Sequence, residues 1–155
     1  MNINWKKLLI CLAIPLAVGG LAALLSGGMD SYRGINQPPL SPPGWIFPIV
    51  WSILYLLMGY ASYRILSSDA EPAAIKKALT FYGIQLALNF LWPLIFFGLQ
   101  WYWAAFVWLL ILWVCIYLTM YQFGAIDDTA ENLLIPYLLW VTFAGYLNFG
   151  VALLN

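Results

Sequence analysis

Gln85, Asn89, Trp92 and Phe96 fall within about 60° of one another at the α-helical 100° per residue, so two hydrogen-bonding amides share one face with two rings that can stack. Phe47, Trp51, Tyr55 and Met58 form a second such stripe, and Pro136, Trp140, Ala144 and Leu147 a third. If the three converge, they line a flat apolar cavity with a few polar groups, suited to a large planar ligand. The plainer reading is helix packing, in which Trp51, Trp92 and Trp140 fill space and Asn89 and Asn148 bond neighbouring helices. Spacing alone leaves both open.

The missing residue types are as informative. The chain has no His, and none of its six Asp and Glu residues lies inside an apolar stretch. A proton relay, an imidazole-ligated haem and a carboxylate-coupled cation exporter therefore lack their usual parts. Ser-His nucleophilic catalysis is excluded. Cys11 and Cys115 have no partner motif, so neither a disulfide framework nor a zinc site is expected. No catalytic residue, metal or cofactor is expected, and no nucleic-acid partner. An aromatic-lined efflux protein holding hydrophobic cations by cation-π contacts is a further reading, disfavoured by the absent membrane carboxylate.

The elements that carry these stripes are five apolar stretches, Leu8 to Ser26, Trp45 to Leu66, Ala78 to Gly98, Tyr102 to Tyr121 and Leu133 to Leu154. At ~1.5 Å per residue each reaches ~30 Å, the thickness of a bilayer's hydrocarbon core. All charged residues, 8% of the chain, lie outside these stretches or, for Arg64, in a last turn. In lipid the backbone must satisfy itself, which selects helices here. The expectation is an all-α membrane protein, one domain over 1–155 built as a compact bundle of five transmembrane helices. The first stretch is expected to be retained rather than cleaved as a signal peptide.

Gly98 to Trp101 is short enough to make the third and fourth helices antiparallel neighbours. Pro15 and Pro93 are expected to kink their helices, whereas Pro48 and Pro136 fit first turns. Lys6, Lys7, Arg64, Lys76 and Lys77 share one side and Arg33 stands on the other, so the positive-inside rule puts the N-terminus in the cytoplasm and Asn155 outside, in a bacterial cell membrane. The connection from Gly27 to Pro43 is stiffened by Pro38, Pro39, Pro42 and Pro43, and reads as a lid over the bundle or as a tether. Gly83 and Ala87, opposite the Asn89 stripe, form a small face suited to a homodimer contact. Trp5, Trp45, Trp101, Trp103 and Tyr121, at span ends, read as an interfacial belt.

The segments PPGWIFPIVWSILYLLMGYAS, ALNFLWPLIFFG and LIPYLLWVTFAGYLNF resemble the TspO/MBR family, the tryptophan-rich sensory proteins related to the mitochondrial translocator protein. Pro42, Pro43, Trp45, Phe47, Trp51, Asn89, Trp92, Pro136, Tyr137, Trp140, Ala144, Leu147 and Asn148 stand where the family's recurrent residues stand. The resemblance implies an often dimeric five-helix bundle with a cavity capped by the first loop, binding porphyrins such as protoporphyrin IX and, in some members, sterol-like lipids. Tetrapyrrole homeostasis, transport or stress sensing follows as the expected role. The implied ligand-binding positions are Trp51, Asn89, Trp92, Tyr137, Trp140, Ala144 and Asn148, with Tyr32 from the first loop and with Phe47 and Leu147 beside them.

Some relatives promote light- and oxygen-dependent porphyrin breakdown, and the resemblance would then cast Trp51 and Trp140 as redox-active neighbours. Where many relatives carry first-loop tryptophans, this chain has Ser31, Pro39 and Leu40. Slow or absent breakdown is therefore expected. The loose sterol pattern is absent from the fifth helix, which has Phe149 and no closing cation, but Leu56, Tyr60 and Arg64 satisfy it on the second.

Overall fold

A computed structural model describes residues 2–27 and 30–155, with the side chains of Asp30 and Ser31 outside that description. Five of its helices are long and apolar enough to cross a membrane. The elements in order are α1 (Trp5–Leu25), the single turn α2 (Asp30–Arg33), α3 (Ile46–Leu66), α4 (Pro72–Pro93), α5 (Tyr102–Gly124), α6 (Asp128–Leu133) and α7 (Ile135–Leu154).

Local chemistry sets the ends. The Asn4 side chain accepts the Lys7 N–H at 3.1 Å, capping α1, and the Asp127 carboxylate accepts the Thr129 N–H at 2.9 Å, capping α6. Helix α1 runs on through Pro15. Helix α4 begins at Pro72, earlier than the apolar stretch, because its first turns carry the exposed Lys76 and Lys77 outside the hydrophobic span. Pro93 has no N–H to give the carbonyl four residues back. The helix widens just beyond it into a π turn over Leu94–Gly98, closed by the Leu99 N–H on the Leu94 carbonyl at 2.9 Å. Pro136 sits in the first turn of α7, and a break at Leu134 separates α7 from α6.

Where apolar side chains face lipid, burial contributes little to helix association, so close approach and interhelical hydrogen bonds carry more of it. Helices α1 and α3 pack antiparallel on Gly59, where a Cβ would lie 2.6 Å from the Cys11 carbonyl oxygen and 2.9 Å from the Leu12 Cα. Helix α5 packs on both α4 and α7. Met58, Ile65, Leu112, Ile116, Phe123 and Val141 fill the centre. At the end opposite the first loop, Arg64 Nε donates to Asp127 Oδ2 at 2.8 Å and ties α3 to the cap of α6.

The first loop closes over the other end of the bundle. Tyr32 is 5% exposed, with its ring against Phe47 at 5.1 Å between centroids. Pro38 seats on Gly150, where a Cβ would come within 2.5 Å of the proline ring. The Asn36 N–H donates to Asn155 Oδ1 at 3.1 Å, Asn155 Nδ2 donates to the Asn36 carbonyl at 2.8 Å, and the Tyr146 hydroxyl donates to the Pro39 carbonyl at 2.7 Å. The loop is a fastened lid rather than a loose tether.

Candidate functional site

Beneath this lid, α1, α3, α4 and α7 enclose a cavity of about 310 Å³. Its wall holds Tyr32, Phe47, Trp51, Asn89, Trp92, Trp140, Ala144, Leu147 and Asn148. The three aromatic stripes do converge, because α3, α4 and α7 each turn a helical face inward. Phe47 and Trp140 meet edge to face at 5.8 Å, Trp51 stacks on Tyr55 at 5.6 Å, and Trp92 stacks on Phe96 at 5.0 Å. Among the described residues, no Asp, Glu, Lys or Arg lines the space.

Tyr137 is placed differently from the expectation. It is 1% exposed and absent from the cavity wall, standing behind Asn89. Asn89 Nδ2 donates to the Tyr137 hydroxyl at 2.6 Å, which donates in turn to Gln85 Oε1 at 2.7 Å. Gln85 Nε2 then reaches the Tyr82 carbonyl at 2.9 Å. The Tyr55 hydroxyl donates to Asn89 Oδ1 at 3.1 Å, so this one amide links α3, α4 and α7. Asn148 does the same at the lid end, accepting from Trp92 Nε1 at 3.0 Å and donating to the Tyr102 carbonyl at 2.9 Å.

Both amides therefore border the cavity while serving as interhelical partners, which holds the rings of Trp92 and Tyr55 in place. The hydroxyls on the wall are also occupied: Ser26 donates to the Ala23 carbonyl, Ser41 to that of Pro38, Ser52 to that of Pro48 and Tyr32 to that of Pro42. The Trp140 indole N–H is different, being buried without a hydrogen-bond partner among the described residues.

Helix α1 supplies a wall that the aromatic stripes did not reveal: Leu16, Gly19, Gly20, Ala22, Ala23 and Ser26. Their signal in the sequence is the small-residue run GGLAALLS, which offers space rather than chemistry. Gly19 makes room for the Tyr55 ring, which would overlap a Cβ placed there. Tyr55, Phe96 and Phe97 also join the wall.

Other sequence candidates lie elsewhere. Trp5, Trp45, Trp101, Trp103 and Tyr121 are exposed at helix ends, as belt residues are. In the loose sterol pattern, Arg64 is committed to Asp127 and its Nη1 donates to the Tyr60 hydroxyl at 3.4 Å. Its cation and phenol are thus engaged within the protein. Gly83 and Ala87 are exposed on the outer face of α4, and a Cβ at Gly83 would meet nothing within 4 Å.

The model of the TspO/MBR family matches residues 11–154. The chain is 38% identical to the tryptophan-rich protein TspO of Chlorobaculum tepidum, over 100% of this chain and 99% of that one. It is 37% identical to the tryptophan-rich sensory protein of Cereibacter sphaeroides, over 100% and 95%. Similarity extends to the translocator protein of Bos taurus, 38% identical over 79% of this chain and 73% of that one.

Proposed function

The chain belongs to the TspO/MBR family and is an integral multi-pass membrane protein, and from that premise we propose that its aromatic cavity binds porphyrins such as protoporphyrin IX and related planar hydrophobic molecules. The observation that carries this reading is the ring of Trp51, Trp92, Trp140, Phe47 and Tyr32 around an uncharged space. Flat apolar faces on several sides recognise a flat apolar ligand by stacking. A volume of about 310 Å³ stands at the low end of the ~300–1,000 Å³ usual for small-molecule sites. A tetrapyrrole would thus hold its ring edge inside and leave its periphery toward the membrane or the lid.

The role we infer is carriage or sensing of the tetrapyrrole, not its chemical conversion. Among the described residues no Asp, Glu, Lys or Arg side chain lines the cavity, and the lid has Pro39 and Leu40 where many relatives place tryptophan. Titration with protoporphyrin IX in nanodiscs, followed by product analysis under illumination, tests both halves. Saturable binding with the ligand recovered intact is expected; efficient conversion to an open-chain product would assign the enzyme reading, with Trp51 and Trp140 as the redox-active pair.

Two further features belong to the same proposal. The cation bias supports an N-terminus in the cytoplasm of a bacterial cell and Asn155 outside. Asn155→Cys should react with a membrane-impermeant reagent in intact cells, and reaction only after permeabilisation would reverse the orientation. The open face at Gly83 and Ala87 supports a homodimer through α4.

A further inference from the structure

We propose that ligand enters and leaves the cavity sideways from the lipid, through a cleft between α1 and α3, and not by opening the lid. The inference rests on the cavity being a ligand site. Leu16, Gly20 and Ala23 of α1 stand at i, i+4 and i+7, one stripe, and face Pro48 and Ser52 of α3, one turn apart. All five line the cavity and are also exposed, Leu16 by 37%. The opposite wall is not: Asn89, Ala144, Leu147 and Asn148 are buried although they border the same space. Exposure at the cleft therefore reports an opening through the outside of the bundle.

The shape of the α1–α3 pair explains the opening. The helices are in backbone contact at Gly59 with Cys11 and Leu12, and Tyr55 fills the gap at Gly19. Beyond Tyr55, toward the lid, the facing residues are glycine, alanine, proline and serine, too small to close it. The Ser52 hydroxyl is spent on the Pro48 carbonyl at 2.7 Å, leaving the rim apolar and compatible with a lipid-dissolved ligand. The lid side is the better sealed, by Tyr32 on Phe47 and by the Asn36–Asn155 and Tyr146–Pro39 hydrogen bonds.

The test measures association and dissociation rates of protoporphyrin IX with protein in nanodiscs. A Cβ at Gly20 meets nothing within 4 Å, so Gly20→Trp can fold with its ring across the cleft; Ala23→Phe is the second variant. Both are expected to slow association and dissociation together by about tenfold or more, equivalent to ~1.4 kcal/mol of barrier. Asn155→Ala, which removes the Asn36–Asn155 pair of hydrogen bonds from the lid, should leave both rates within about twofold (~0.4 kcal/mol). Faster exchange in Asn155→Ala with unchanged rates in the cleft variants would overturn the lateral route in favour of the lid. Weaker binding with undiminished dissociation in both cleft variants would place the new rings inside the cavity and also count against it. If the unmodified protein binds no porphyrin, it is the ligand assignment that fails, and the same rates measured with a neutral planar aromatic probe decide the route.

Discussion

Replacing Tyr137 by Phe deletes one oxygen and separates two roles that look alike in sequence. That hydroxyl accepts from Asn89 Nδ2 at 2.6 Å and donates to Gln85 Oε1 at 2.7 Å, and the site is fully enclosed, so no water replaces it. Side-chain hydrogen bonds within membranes average ~0.6 kcal/mol and reach ~1.7. Losing two gives a destabilisation of about 1 to 3 kcal/mol, in line with the cost of stranding a buried donor and acceptor. Reversible unfolding in mixed detergent and SDS micelles, followed by near-UV circular dichroism, reads that change. Because Tyr137 stands behind Asn89 and off the cavity wall, porphyrin affinity should move by less than about twofold, or ~0.4 kcal/mol. Unchanged stability together with a tenfold loss of affinity would refute this placement and put the hydroxyl in the ligand's path.

Gly59→Ala should destabilise the bundle by about 1 to 3 kcal/mol, since the added methyl meets the backbone of Cys11 and Leu12, which cannot move aside as a side chain can; the same micelle unfolding measures it. Gly83→Leu, on the open face of α4, should weaken dimer cross-linking while leaving porphyrin affinity intact, and a fully dimeric mutant would move the interface elsewhere. Burial works to raise the Asp127 pKa, but hydrogen bonds from Arg64 and the Thr129 N–H, with the Arg64 charge, hold it below the ordinary carboxylate value. A depressed folded pKa means stability present at neutral pH and lost as pH falls below about 4. Asp127→Asn should therefore cost about 1 kcal/mol or less at pH 7 and flatten the acid limb of an unfolding-versus-pH curve.

Much of this architecture is legible in the chain because lipid imposes two simple rules, a length near twenty residues and exclusion of charge. Three walls of the cavity followed from helical periodicity, since large rings at i and i+4 mark a face wherever it points. The α1 wall was not legible in that way: Gly19, Gly20 and Ala23 contribute only absence of bulk, and small residues serve equally for close helix contact. Tyr137 belongs to a recurrent motif beside Trp140, yet which of two neighbouring residues reaches the cavity depends on the rotation of α7. The buried Asn89–Tyr137–Gln85 chain sets that rotation, and it joins residues from two helices whose register no single helix encodes. The π turn after Pro93 has the same character, because a missing N–H announces a disruption without saying how the backbone resolves it.

Trp51, Trp92 and Trp140 are proposed to border a tetrapyrrole. Stacking contributes about 0.5 to 1.5 kcal/mol beyond burial, so Trp51→Phe and Trp140→Phe should each weaken protoporphyrin IX binding roughly 2- to 12-fold at 1.4 kcal/mol per decade. Trp103→Phe, whose indole is exposed at the start of α5 outside the cavity, should leave it unchanged. Equilibrium titration of these three variants in nanodiscs, read by porphyrin absorbance so that the lost tryptophans do not alter the signal, is the direct measurement. Selective weakening at Trp51 and Trp140 is the predicted result; equal effects at all three, or none at any, would contradict the cavity as the porphyrin site.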